Sequence, residues 1–256
     1  MVDLANPACV LITGATGGIG AALAREYAAP GRTLVLHGRN ETQLGKVAAE
    51  CEARGARVRT LVLDLVDGPA AVEALRALSA QQPVDLAIVN AGVISVIGQG
   101  EEVEDFARGR ALMAVNVDGA LATVAGVLPA MRRRGSGQIA LVSSLSGFFG
   151  MPIMPTYSAS KAALKAYGEA LRGWLAPQGV AVNVVMPGFV DSAMTARLPV
   201  AKPFMMGPER AARLIRRGLA RDRARIAFPF PISWGSWWLS VLPPWISQRI
   251  VGLMGY

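Results

Sequence analysis

Tyr157 and Lys161 stand four residues apart in the run Tyr157-Ser158-Ala159-Ser160-Lys161. On a helix that spacing puts both side chains on one face. A phenol ordinarily titrates near pH 10, too high to exchange protons readily around neutrality (about pH 7). An ammonium group beside it favours the phenolate, which suits the pair to general acid–base work. The same spacing also arises by chance on solvated helices, so the pair needs a site around it.

A second group of residues suits phosphate binding. The apolar run from Ala8 to Thr13 reads as a strand buried on both faces. Directly after it comes Thr13-Gly14-Ala15-Thr16-Gly17-Gly18-Ile19-Gly20, then a helical pattern through Ala21, Leu23, Ala24 and Tyr27. A glycine-rich turn between strand and helix lets backbone approach a pyrophosphate, and the helix N-terminus favours its charge. The next apolar run, Thr33 to Leu36, ends in His37-Gly38-Arg39, with no Asp or Glu to bind a ribose 2′-hydroxyl. A guanidinium at Arg39 can instead clamp the 2′-phosphate of NADP, so the reading is NADP(H) in preference to NAD(H).

Other chemistries are excluded or unsupported. His37 is the single histidine, which nearly removes histidine triads and multi-histidine metal sites. Cys9 and Cys51 have no metal-ligand spacing and read as reduced thiols of a cytoplasmic protein, so no metal is expected. No basic region followed by a long apolar one marks a signal peptide at the N-terminus. The net charge of +8 would fit nucleic acid, anionic membrane or a phosphate-rich ligand. No nucleic-acid-binding motif accompanies it, so nucleic acid is not expected as a partner.

The elements that must position these groups follow one another regularly. Helices are expected over about Glu41–Arg54 and Ala70–Ser79, with a long one from about Val103 to Arg134 containing Asn116. Strands are expected over Val58–Leu63, Val84–Val89, Gln138–Val142 and Val180–Met186. The helix of Tyr157 and Lys161 lies between the last two and stops near Pro177-Gln178-Gly179. Strands alternating with helices predict a parallel, doubly wound α/β sheet covered on both faces, in a single domain. Asn90-Ala91-Gly92, Ser143-Ser144 and Pro187-Gly188 fall just past strand ends, where such sheets bind ligands.

In this order the motifs of residues 8–200 resemble those of the short-chain dehydrogenase/reductase superfamily. The carriers are Thr13, Gly14, Gly18 and Gly20 of Thr-Gly-x-x-x-Gly-x-Gly, then Asp64, Asn90-Ala91-Gly92, and the tetrad Asn116, Ser144, Tyr157 and Lys161. The resemblance implies a single-domain Rossmann fold of about seven strands. It also implies carbonyl–alcohol interconversion on a small molecule, with subunits associating as dimers or tetramers. The contact would run through the helices around Asn116 and Lys161, where Ala111, Ala114, Gly119, Ala120, Ala163 and Ala166 are small.

Tyr157 would act as acid or base, Ser144 would hydrogen-bond the reacting oxygen, and Asn116 would hold a water joining Lys161 to solvent. Cofactor binding would fall to Thr13, Gly14, Thr16, Gly18, Ile19, Gly20, Arg39, Asp64, Leu65, Asn90, Ala91, Gly92, Tyr157, Lys161, Pro187, Gly188, Val190 and Ser192. Two departures stand out: Ser192 offers itself where the family often has threonine, and Ser146 stands where alanine is usual. The same fold and motifs would also serve a non-catalytic NADP-binding regulator or a membrane-surface protein.

Substrate identity is coded less generally. Phe148, Phe149, Met151, Ile153 and Met154 read either as an apolar substrate wall or as packing. The 201–256 extension reads as substrate-side, with seven arginines from Arg210 to Arg225 against Glu209 and Asp222. Ile226–Gln248 then carries no charge but contains Trp234, Trp237, Trp238 and Trp245, and Pro229, Pro231, Pro243 and Pro244 break it. Three placements suit such a tail: the membrane surface, with the arginines favouring anionic lipid, a lid on the substrate pocket, or a subunit interface.

Overall fold

A computed structural model of the protein describes residues 3–97, 103–196, 198 and 202–253. The expected boundary at 200–201 and the tail's end, Met254 to Tyr256, lie outside the described residues. Strands and helices alternate from the start: β1 (Cys9–Ile12), α1 (Gly18–Tyr27), β2 (Thr33–Gly38), α2 (Glu41–Glu52), β3 (Arg57–Val62), α3 (Gly68–Gln81) and β4 (Leu86–Val89). The chain continues through α4 (Phe106–Met113), α5 (Gly119–Arg134), β5 (Gly137–Val142), α6 (Pro155–Leu175), β6 (Val180–Pro187) and the short α7 (Ala193–Ala196). It closes with α8 (Pro208–Ala220), β7 (Arg225–Phe228), α9 (Ile232–Val241) and α10 (Pro244–Leu253).

The seven strands pair in parallel in the order β3-β2-β1-β4-β5-β6-β7, a single Rossmann-type domain. Alternate residues of each strand feed opposite layers, as a period of two requires. Val10, Ile12, Leu34 and Leu36 pack with Leu23, Leu44 and Ile215 from α1, α2 and α8. Cys9, Leu11, Val35 and Ala87 pack with Leu75, Val127 and Leu164 from α3, α5 and α6. The order reverses at β1, whose neighbours β2 and β4 connect away in opposite directions. A crevice opens there at the strand C-termini, the place where such sheets take ligands.

Most expected boundaries shift by one or two residues, and two differences carry more meaning. The long helix starts at Phe106 rather than Val103, because Asp105 Oδ1 caps it by accepting the Arg108 N–H at 2.6 Å. It also widens into one π turn, Ala114–Asp118, between α4 and α5. Phe106–Arg134 is long and apolar enough to cross a membrane, yet 56% of its most apolar stretch is buried, so it serves as a core helix.

The second difference is in the tail. β7 falls within the 201–256 extension, and its Ile226 and Phe228 are core residues. The extension therefore completes the sheet as well as following it. Beyond β7 the prolines break the apolar run into two ten-residue helices, α9 and α10.

Candidate active site

The loop after β1 needs its glycines for close approach. Gly14 sits at φ +67°, and a Cβ on Gly20 would lie 2.1 Å from the Gly14 carbonyl oxygen. α1 then opens with no side-chain cap, leaving its first N–H groups for a ligand. A cleft of about 340 Å³ runs from this loop along the strand ends. Gly14, Thr16, Gly18, Ile19, Gly20, Arg39, Asp64, Leu65, Asn90, Ala91, Gly92, Pro187, Gly188, Val190 and Ser192 all line it, as do Tyr157 and Lys161.

Thr13 differs from its expected place. It is fully buried behind the wall, where its Oγ1 accepts the N–H groups of Asn90 and Ala91 at 3.0 and 3.1 Å. Asn90 completes the brace by donating from Nδ2 to the carbonyls of Thr13 and Gly14. These residues hold the loop in shape, and the cradle fits a dinucleotide: tight backbone, an open helix N-terminus and exposed Arg39 at its rim.

His37 was given no role by sequence reasoning, yet it braces the same loop. Its Nδ1 accepts the Gly14 N–H at 3.3 Å, which assigns the ring proton to Nε2, 2.9 Å from the Leu63 carbonyl. Burial lowers its pKa and keeps it neutral, as those two bonds require.

At the other end of the cleft, α6 presents Tyr157 and Lys161 on one face. Lys161 Nζ lies 5.6 Å from the Tyr157 ring centre and donates to the Val142 carbonyl at 3.1 Å. Burial lowers the Lys161 pKa to about 8. The direction at Tyr157 differs from the sequence expectation. Burial pushes the phenol up, and a hydrogen bond with Ser144 pulls it partly back.

The two serines after β5 separate clearly. Ser143 Oγ donates to the Lys161 carbonyl at 2.6 Å and so ties α6 to β5. Ser144 faces the space beside Tyr157 and lines the cleft. Asn116 stands in the π turn, fully buried, outside the cleft lining. Its Oδ1 accepts the Val93 N–H, and its Nδ2 donates to the Val93 carbonyl and Ser160 Oγ. These bonds tie the π turn to α6 and to the segment after β4, and Ser160 is the unforeseen partner.

A second cavity, of about 530 Å³, meets the first at Ser144, Tyr157, Gly188, Met194 and Thr195. Phe149, Met151 and Met154 line it, so that part of the apolar loop forms wall. Phe148 instead packs against the cluster of Leu145, Val184 and Met186, and the Ile153 carbonyl accepts the Ile97 N–H. Ser146 Oγ is buried with no hydrogen-bond partner among the described residues. Thr195, unforeseen, reaches 3.0 Å from Ser192 Oγ and donates to the Val190 carbonyl. No group of residues suited to a metal occurs among the described residues.

A Rossmann-type sheet with a glycine cradle and a serine–tyrosine–lysine cluster at its strand ends defines a nucleotide-binding oxidoreductase class. Residues 8–202 match the short chain dehydrogenase family, and the chain belongs to it. An uncharacterised oxidoreductase of Myxococcus xanthus is 37% identical over 234 residues, covering 91% of this chain and 92% of that one. A short-chain dehydrogenase from Sphingobium yanoikuyae, solved with NADPH, is 27% identical, covers 96% and 95% of the two chains and superposes with TM-score 0.79. A candidate NAD(P)-dependent gluconate 5-dehydrogenase from Beutenbergia cavernae, solved with bound NADP, is 30% identical with TM-score 0.75, covering 86% and 92%.

Proposed function

We propose that this chain is an NADP(H)-dependent oxidoreductase that interconverts a carbonyl and an alcohol on an apolar small molecule. The observation that carries the reading is the meeting of two cavities at Ser144 and Tyr157, one cradle-lined and one apolar. The nicotinamide cofactor, when bound, supplies or accepts the hydride. Tyr157 gives its phenolic proton to the carbonyl oxygen, or takes it back from the alcohol in the reverse direction. Ser144 donates a hydrogen bond to that oxygen where charge develops. Lys161, with its pKa of about 8, gives and takes protons behind Tyr157, and Asn116 and Ser160 keep its helix in register. An intact set of Ser144, Tyr157 and Lys161 favours this over a non-catalytic regulator.

The preference for NADPH rests on exposed Arg39 beside Gly38, with no carboxylate at that strand end. Two relatives of the fold were solved with NADPH or NADP, which agrees with it. Arg39→Ala should weaken NADPH binding by about 1.5–3 kcal/mol and leave NADH nearly unchanged. Tyr157→Phe should keep cofactor binding and cut turnover by roughly 10²–10⁴-fold. Equal parental affinity for both cofactors, or full turnover by Tyr157→Phe, overturns the corresponding part.

The proposal extends to partners. Subunits associate through the α4–α6 side, and the outer surface of the tail touches a membrane. Exposed apolar residues among those described include Phe106, Leu121 and Trp174 on the first surface, and Phe230, Trp237, Val241, Trp245 and Leu253 on the second, outside the cavity lining.

A further inference from the structure

A large part of the apolar cavity's described lining belongs to the tail. Ile232, Trp234, Trp238, Leu239 and Leu242 from α9 and its end, with Ile250 and Val251 from α10, form one wall of the cavity that Tyr157 also lines. This wall is anchored. Ile232 packs on the Leu145, Val184 and Met186 cluster, Ser247 Oγ donates to the Leu239 carbonyl at 2.7 Å, and Val251 is buried. Trp234 and Trp238 meet edge to face at 5.6 Å and still leave 57% and 41% of their surface uncovered.

Among the described residues, none that lines the cavity is charged, and the hydroxyls there belong to Ser144, Ser146, Tyr157, Thr195 and Ser236. A substrate with a carboxylate or phosphate inside this space would lose its hydration with no cation among the described lining residues to replace it. An extended hydrocarbon body would cover the tryptophan faces and gain the usual apolar transfer energy.

We infer that α9 and α10 are a hydrocarbon-binding wall, and that the substrate is a neutral carbonyl compound or alcohol with a long apolar body. Its oxygen lies at Ser144 and Tyr157, and its chain runs along Trp234 and Trp238 to Leu242 and Ile250. The inference rests on the oxidoreductase reading for its chemistry, but the wall is testable without turnover.

The experiment uses the full chain with NADPH and the aldehydes butanal, octanal and dodecanal. Specificity, as kcat/KM, should rise about twofold to fourfold for each added methylene until the cavity is full. Trp238→Ala and Leu242→Asn should lower kcat/KM for dodecanal by at least about tenfold while leaving butanal and NADPH binding near parental. In parallel, dodecanamide, which carries no reducible carbonyl, should change the tryptophan emission and butanamide should not. A flat chain-length profile overturns the inference, as does an equal loss on short and long aldehydes in both variants. If none of the aldehydes turns over, the aldehyde part of the oxidoreductase reading fails, and the amide titration alone decides the wall: a response to dodecanamide lost in Leu242→Asn, which keeps every tryptophan, upholds it, and no response overturns it.

Discussion

Lys161 is a residue of the candidate site that works against stability. Its side chain is almost fully buried, and its pKa falls from the ordinary 10.5 to about 8 because burial disfavours the ammonium. In the unfolded chain the same group keeps its ordinary value. Below pH 8 both states carry the proton, and folding bears a penalty of about 3 kcal/mol for the buried charge. As pH rises from about 8 towards 10.5 the folded state sheds its proton first, so that penalty is relieved. Unfolding free energy from urea titrations without cofactor should therefore rise between about pH 7 and pH 9.5 in the parent relative to Lys161→Met. At about pH 7 the variant should be the more stable, although it lacks the bond to Val142 and should be inactive. Parallel pH profiles for the two proteins would sink the argument. At this scale the sequence was legible where chemistry is local: Tyr157 and Lys161 share a helix face, and the glycines share one turn. His37, Ser160 and Thr13 act through partners 23 to 78 residues away, which no local spacing announces. His37 did leave one signal, a lone histidine at a strand end beside Gly38-Arg39.

Among the elements, the strands were legible because parallel strands buried on both faces read as unbroken apolar runs. β7 escaped because only Ile226 and Phe228 of its four residues are buried, and its first residue closes a run of arginines. The tail helices escaped because their tryptophans signal burial, membrane and interface equally. Packing also revises the expected subunit contact. Gly119 and Ala120 are buried within the chain, and a Cβ on Gly119 would stand 3.1 Å from Leu65 Cβ. They let α5 approach its own core and do not face a partner. Ala111 and Ala166 remain exposed, and Phe106 at the start of α4 is 78% exposed, which keeps the α4–α6 side open to a second copy. Light scattering at micromolar concentration should give a dimer or tetramer, and Phe106→Glu should shift it towards monomer. A parent protein that scatters as a monomer ends the proposal.

Over the whole molecule, part of the charge of the C-terminal stretch turns out to be engaged away from its apolar tail. In sequence, seven arginines run straight into the tryptophan-rich tail, which favoured anionic lipid. In the fold, α8 packs against α1, and Arg216 pairs with Glu26 there at 3.3 Å. Arg225 pairs with Glu169 on α6. The tail helices sit instead at the strand ends, over the apolar cavity, with Phe230, Trp245 and Leu253 exposed by 78%, 70% and 84%. These three, with Trp237 and Val241, are exposed without lining the cavity, so they are the surface that a proposed bilayer contact would use. Attachment to a bilayer should then come mainly from apolar insertion, with tryptophan at the headgroup level, and less from charge, of which α10 itself carries the exposed Arg249. The intact protein should sediment with neutral vesicles nearly as well as with anionic ones, and raised salt should release little of it, since screening leaves apolar contacts intact. Ending the chain near Arg225 would delete β7 and confuse detachment with unfolding, so the better variant is the triple change Phe230→Ser, Trp245→Ser and Leu253→Ser. It should stay in the supernatant while its melting temperature and its kcat/KM on a dissolved short aldehyde match the parent. A parent protein that sediments with neither vesicle would remove the membrane from this account and leave the tail as the wall of the substrate cavity alone.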